Sequence, residues 1–221
     1  MRSNPAGSRR EGPSYGTRVA RAFPCDVHAP APAQLPIFRS RLQGELLARL
    51  LLGPEREMSM LDLAVMLHTD LASVMREAEP LARAGILALR RTLAGRLVRR
   101  NVDSPLYEPL AHLLMLTFGP AAVVAEEFGR LPAVRRIYLF GAWADRYEHP
   151  SGPHPVDVDV LVIGHLPPDT AFDAAQESAA RLALPVHPVV RTPSQWRDDT
   201  DPFLREIRNG PVVAVQPLSP T

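Results

Sequence analysis

FGAWADRYEHPSGPHPVDVDVLVIG, residues 140–164, is the stretch on which the reading of this 221-residue chain turns. An apolar strand over Ile137–Phe140 runs into Gly141, and a helix opens near Ala142. Further on, a valine-rich strand over Val156–Ile163 carries Asp157 and Asp159. Residues two apart in a strand share a face, so both carboxylates point one way and Val156, Val158 and Val160 the other. Carboxylates this close repel each other and are costly in a dry interior. Two arrangements relieve the conflict: a solvent-facing edge strand, or a divalent cation held by both. Hard oxygen ligands suit Mg2+, which uses a couple of carboxylates plus substrate phosphates.

The surrounding sequence alternates strands and helices. Strands are expected at Arg135–Phe140, Val156–Ile163, Val186–Arg191 and Val212–Val215, with helices from Ala142, over Asp169–Ala183 and near Pro202–Arg208. That pattern predicts an α/β domain over residues 133–217, a mixed sheet with flanking helices. The helix after Gly141 turns backbone N–H groups toward a place where a phosphate can sit, and glycine lets the chain approach it closely.

Strand, glycine and helix followed by D-x-D on the next strand resemble the nucleotidyltransferase fold of the DNA polymerase beta superfamily. More closely, YLFGAWADRY, VDVDVLVIG and DPF resemble bacterial proteins joining a winged helix to a minimal nucleotidyltransferase domain, over Val134 to Val215. The resemblance implies that Gly141 and Ala142 hold the triphosphate of an NTP, and that Asp157 and Asp159 are the catalytic carboxylates binding Mg2+ or Mn2+. Two departures stand out. Ala142 replaces the usual Ser or Thr, and the later strand reads VHPVVR, with His187 where the superfamily carries a third carboxylate. His187 is either a structural strand residue or a proton acceptor, imidazole being the side chain that titrates near neutral pH. Related fusions also tend to lack that acid, which implies nucleotide binding with weak or no turnover. Arg146 either reaches a phosphate or pairs with Asp145 or Glu148, Trp143 packs, and Glu148–Pro155 forms a loop over the site.

The first half reads differently. Leu42, Leu46, Leu47 and Leu50 mark one helix face; Ser59 caps a second helix with Met60, Leu63, Ala64 and Leu67 inward. A third places Leu71, Val74, Met75, Ala78 and Leu81 inward and ends at Gly85, with Pro80 inside it. Strands Ile86–Thr92 and Arg96–Asn101 then form a hairpin around Leu93-Ala94-Gly95. Phe38 to Val102 thus resembles the winged helix-turn-helix of small bacterial repressors, a DNA-binding domain over residues 38–104. The resemblance implies that Ser73, Arg76 and Glu77 enter the major groove, with Thr69 near a phosphate. Arg90, Arg91, Arg96, Arg99 and Arg100 make the hairpin a basic wing for phosphate contact, though strand alternation turns some of them away.

Charge supports the division. Residues 1–104 carry sixteen Arg against ten acids and residues 105–221 nine against fourteen, so a basic half meets an acidic one. All 25 basic residues are arginine, which grips phosphates in a bidentate way that lysine cannot. Residues 1–37, Pro-rich and without periodicity, read as a disordered tail or an upstream start. Residues 105–132 form a helical connector broken at Gly119-Pro120, available for core packing or for a homodimer. Its longest apolar run is too short and interrupted to span a bilayer, no signal peptide is visible, and Cys25 stands alone; a cytoplasmic location is expected.

Three functions compete. One is a DNA-binding transcriptional regulator whose nucleotidyltransferase-like half binds nucleotide and Mg2+ with little or no turnover. Another is an active enzyme moving a nucleoside monophosphate from an NTP to a protein or small-molecule hydroxyl. The third is an antitoxin that binds a toxin partner. The missing third carboxylate separates the first two.

Overall fold

Short apolar stripes cut by capping side chains build the first half. A computed structural model describes residues 37–150, 155–198 and 200–215. The expected tail lies outside these but for Ile37, as do residues 151–154 of the expected loop. Helix α1 (Arg41–Leu52) starts where Ser40 accepts from the Gln43 N–H, and buries Leu46, Leu47, Leu50 and Leu51. Strand β1 (Met58–Ser59) leads into α2 (Met60–Met66), where the Ser59 hydroxyl accepts from the Asp62 N–H at 2.9 Å, the cap expected from sequence. Helix α3 (Leu71–Arg83) is capped by Asp70 and runs through Pro80 without ending there. Strands β2 (Leu87–Thr92) and β3 (Gly95–Arg100) pair antiparallel, with Thr92 opposite Gly95, and β1 joins the far side of β3. The result is three helices beside a three-stranded antiparallel sheet in the order β1-β3-β2. At two residues, β1 is too short to leave any periodicity to read.

The inward face of α3 differs from expectation. Val74 and Ala78 are fully buried, but Leu71 is 41% exposed and Glu77 is buried at 9%. The acid is affordable there because Arg39, Ser40 and Gln43 all donate hydrogen bonds to its carboxylate, at 2.9, 3.2 and 3.0 Å.

Helices α4 (Tyr107–Phe118) and α5 (Pro120–Gly129) form the connector. By length and composition Tyr107–Gly129 is apolar enough to cross a membrane; here extended backbone at Gly119 splits it, and half of its most apolar window is buried in the fold. Helix α1 approaches α4 so closely at Gly44 that a Cβ there would lie 2.3 Å from the Phe118 ring.

The second half holds a four-stranded sheet in the order β6-β5-β4-β7, confirming the α/β class. Strand β4 (Val134–Phe140) passes directly into α6 (Gly141–Glu148), then come β5 (Val158–Gly164), the long crossover α7 (Pro168–Leu182) and β6 (Val186–Arg191). Short helices α8 (Pro193–Arg197) and α9 (Pro202–Asn209) precede the edge strand β7 (Val212–Val215). Only β5 and β6 run parallel, as a helical crossover requires. Val158, Val160 and Val162 pack with α5, α6 and α7, while Leu161 and Ile163 face Trp196, Phe203, Leu204 and Ile207 of α8 and α9.

One continuous set of buried apolar side chains runs from Leu46 in α1 to Val215 in β7. Arg49, 6% exposed on α1, reaches across to the end of α7, its Nη2 donating to the carbonyls of Ala180 and Arg181 at 2.5 and 2.8 Å. These are the acceptors a helix C-terminus leaves unpaired. Arg181 itself pairs with Glu126 and Glu127 of α5, at 2.8 and 2.6 Å. The Tyr147 hydroxyl donates to the Met115 carbonyl and accepts from the Ala121 N–H, binding α6 to both sides of the Gly119 break. Burial pushes the Tyr147 pKa up.

Candidate nucleotide and cation site

The turn from β4 into α6 places the candidate site. Phe140 lies opposite Asp159 in the β4–β5 register, so the next residue, Gly141, arrives beside that carboxylate. Gly141 has φ +68°, a left-handed conformation that favours glycine, and an added Cβ would sit 2.7 Å from Asp159 Oδ2. The carboxylate therefore occupies the space a side chain would take. The parallel β5–β6 register sets His187 next to Asp159, and His187 Nε2 lies 3.7 Å from Asp157 Oδ2. Gly141, Ala142, Asp157, Asp159 and His187 thus gather where β4 ends and β5 and β6 begin.

Asp159 shares its side of the sheet with Leu161 and Ile163, at the open end of the surface that α8 and α9 cover further along. The valine reading needs one correction. Strand β5 begins only at Val158; Asp157 lies in a bend before it, and Val156 is 74% exposed instead of sharing the buried face of Val158. The two acids still interact: burial, then the charge of Asp157, raises the Asp159 pKa, with His187 opposing the rise. A site that resists its own negative charge gains from a positive ion.

Two carboxylates and an imidazole, with a cradle that a Cβ would fill, fit a divalent cation with phosphate oxygens. Among the described residues no three His, Cys, Asp or Glu side chains already converge on one point, so solvent or phosphate must complete any coordination shell. Ala142 is exposed at the first turn of α6, whose leading N–H groups have no side-chain cap. Asp201 of the DPF stretch accepts from the Phe203 N–H, capping α9, and lies 3.5 Å from Arg191.

Arg146 does not join the site. It is 5% exposed, and its Nη2 lies 3.7 Å from Glu108 of α4, so it pairs with neither Asp145 nor Glu148. The reason is the packing of α6 beneath the connector, which takes Trp143, Ala144, Arg146 and Tyr147 out of solvent together. A guanidinium so enclosed offers little to a phosphate arriving from solvent.

In the first half, Arg76 and Arg91 are exposed, and no ion pair engages either among the described residues. Thr69 is half-buried, its N–H donating to the Ala64 carbonyl at 2.9 Å. Ser73 gives both its N–H and its hydroxyl to Asp70, at 2.8 and 2.7 Å. Arg96 is ion-paired with Glu79, and Arg90 with Glu57 at 2.5 Å. Arg100 is buried and donates to the Gly53 carbonyl at 2.8 Å. Glu77, held by Arg39, Ser40 and Gln43 at the α1 entrance, is turned away from solvent. Residues 38–104 carry eleven Arg against eight acids, so half of the excess positive charge of the first 104 residues belongs to the first 37.

No protein-family model matches the chain, and no curated protein matches it. Among solved structures, a tri-AMPylated Shewanella oneidensis HEPN toxin in complex with MNT antitoxin is similar over 30% of this chain and 46% of that chain. Identity there is 24% and the TM-score 0.22. A likeness that limited leaves fold and function to the residues themselves.

Proposed function

We propose that the second half binds a nucleoside triphosphate together with a divalent cation, through Gly141, Ala142, Asp157 and Asp159. The observation that carries this reading is the absent side chain at Gly141, whose place the Asp159 carboxylate takes. Phosphate oxygens lie against the leading N–H groups of α6, where the helix dipole favours negative charge. A cation held by the two acids neutralises the phosphates and relieves the repulsion that raises the Asp159 pKa. Transfer is slow or absent, because among the described residues no carboxylate beyond this pair stands at the site to take a proton from an acceptor. A positioned general base is worth about 10² to 10⁴ in rate. The first half binds duplex DNA through Arg76 and Arg91, making the chain a nucleotide-responsive transcriptional regulator of the cytoplasm.

Thermal melts of the full chain with and without ATP and Mg2+ test the core of this reading. Binding raises the melting temperature of wild type and not of Asp157→Asn or Asp159→Asn. A wild type indifferent to ATP and Mg2+ returns the acids to an ordinary polar strand end.

Active nucleotidyl transfer is the second reading, favoured by the position of His187 beside both acids. In that case His187 takes the proton of an acceptor hydroxyl as its oxygen bonds the α-phosphorus, the bond from that phosphorus to the β-phosphate oxygen breaks, and pyrophosphate leaves. Label from a radioactive NTP then moves to an acceptor in wild type, and both Asp159→Asn and His187→Ala abolish the transfer.

A further inference from the structure

We propose that His187 is a ligand of the cation and makes the site select a transition ion such as Mn2+ over Mg2+. This rests on the cation reading above and adds to it the identity of the ion. His187 Nε2 and Asp157 Oδ2 lie 3.7 Å apart, too far for a hydrogen bond with each other. Two ligands bonded at about 2.1 Å to one ion lie between about 3.0 Å from each other when adjacent and about 4.2 Å when opposed. The observed separation falls inside that interval, so one ion fits between the two atoms with little rearrangement. The partners come from different segments: Asp157 from the bend before β5 and His187 from the second position of β6.

Asp159 stands at the register position beside His187 without converging on that point, so phosphate or solvent oxygens complete the set. The protein donors are then one carboxylate and one imidazole. Magnesium favours oxygen ligands throughout and sheds its waters reluctantly. Imidazole suits first-row transition ions, and Mn2+ accepts carboxylate, water and nitrogen together. His187 is 58% exposed at its side chain, so replacing it leaves the buried core intact. An imidazole nitrogen bonded to a cation has no lone pair for a proton, which sets this role against the proton-accepting one.

The experiment is pulsed electron paramagnetic resonance of Mn2+ with the full chain and inorganic tripolyphosphate, which brings no nitrogen of its own. Titrations of Mn2+ and Mg2+ accompany it. Wild type should bind Mn2+ and show modulation from a directly bonded nitrogen. His187→Gln should lose that modulation and at least about tenfold in Mn2+ affinity, the minimum that even supporting residues of a metal site cost. His187→Asp, which restores an all-oxygen set, should lower the ratio of Mn2+ to Mg2+ affinity about tenfold. Tight Mn2+ without nitrogen modulation, or an unchanged ratio in His187→Asp, overturns the ligand role and leaves the cation site standing. Binding of neither ion by wild type overturns both.

Discussion

Replacing Gly141 by alanine asks two separate things of the fold. The first is conformational: at φ +68° an L-residue costs roughly 1–2 kcal/mol in the left-handed region. The second is steric, because the new methyl would lie 2.7 Å from Asp159 Oδ2 but 3.7 Å from Cγ, so rotating the carboxylate relieves the clash. Forcing a side chain off its rotamer costs about 0.5–1.5 kcal/mol. A stiffer unfolded chain returns roughly 0.4–1 kcal/mol. The net loss is about 1–2.5 kcal/mol, or roughly 2–10 °C in Tm for a chain of this size. The functional effect is larger than the stability effect, since the displaced carboxylate is the one proposed to meet the cation. At a hundredfold excess over Kd, ATP with the cation should stabilise wild type by about 2.7 kcal/mol and Gly141→Ala by almost nothing. Calorimetric melts with and without ligand measure both quantities. In Asp159→Ala the same glycine substitution should cost less, since only the backbone part remains. A Gly141→Ala protein that melts with wild type and keeps its ligand shift would refute the cradle.

The Asp159 pKa is raised in the fold, so ionisation there costs stability. Without metal, Asp159→Asn should match wild type below about pH 3.9 and become the more stable of the two as pH climbs above it, a gap that persists at neutral pH and is read from urea melts. Arg49→Met should lose about 1–3 kcal/mol by stranding the Ala180 and Arg181 carbonyls, whereas Arg130→Ala, which breaks an exposed pair with Glu127, should cost almost nothing; urea midpoints compare the two. Arg76→Ala and Arg91→Ala should weaken duplex DNA binding and flatten its salt dependence by about one counterion per lost phosphate contact, while Arg90→Ala, already tied to Glu57, should change it less. Gel shifts without any DNA affinity at low salt would contradict the regulator reading.

The sequence reveals what periodicity and caps encode, and misses what distant packing decides. Ser59 as a cap, the hairpin around Leu93-Ala94 and the strand Val186–Arg191 all rest on neighbours within a few residues, and each stands as read. The face of α3 was harder because Val74 and Ala78 fit two adjacent rotations of the helix. Choosing between them required knowing that Arg39, Ser40 and Gln43 would receive Glu77, a clue that sits 34 to 38 residues upstream. Arg146 falls three residues after Trp143 on the same helix face, but its charge argues for solvent until the connector covers α6. Arg49 did leave a signal: a lone charge within a run of leucines, which only a buried partner explains. At the site, alternation brings Asp157 and Asp159 together from sequence alone, but the approach of His187 depends on the parallel pairing of β5 with β6.

The grip of Arg49 on α7 also carries a cost in time. Its acceptor at Ala180 lies 131 residues further along the chain. At roughly 5–20 residues per second, synthesis leaves that arginine waiting about 7 to 26 seconds for its partner. Until then the first half emerges with a buried-type cation bare on α1, beside leucines that the folded protein hides. The end of α7 therefore completes the packing of the first helix, and nascent chains halted before α7 should be the ones that aggregate or recruit a chaperone.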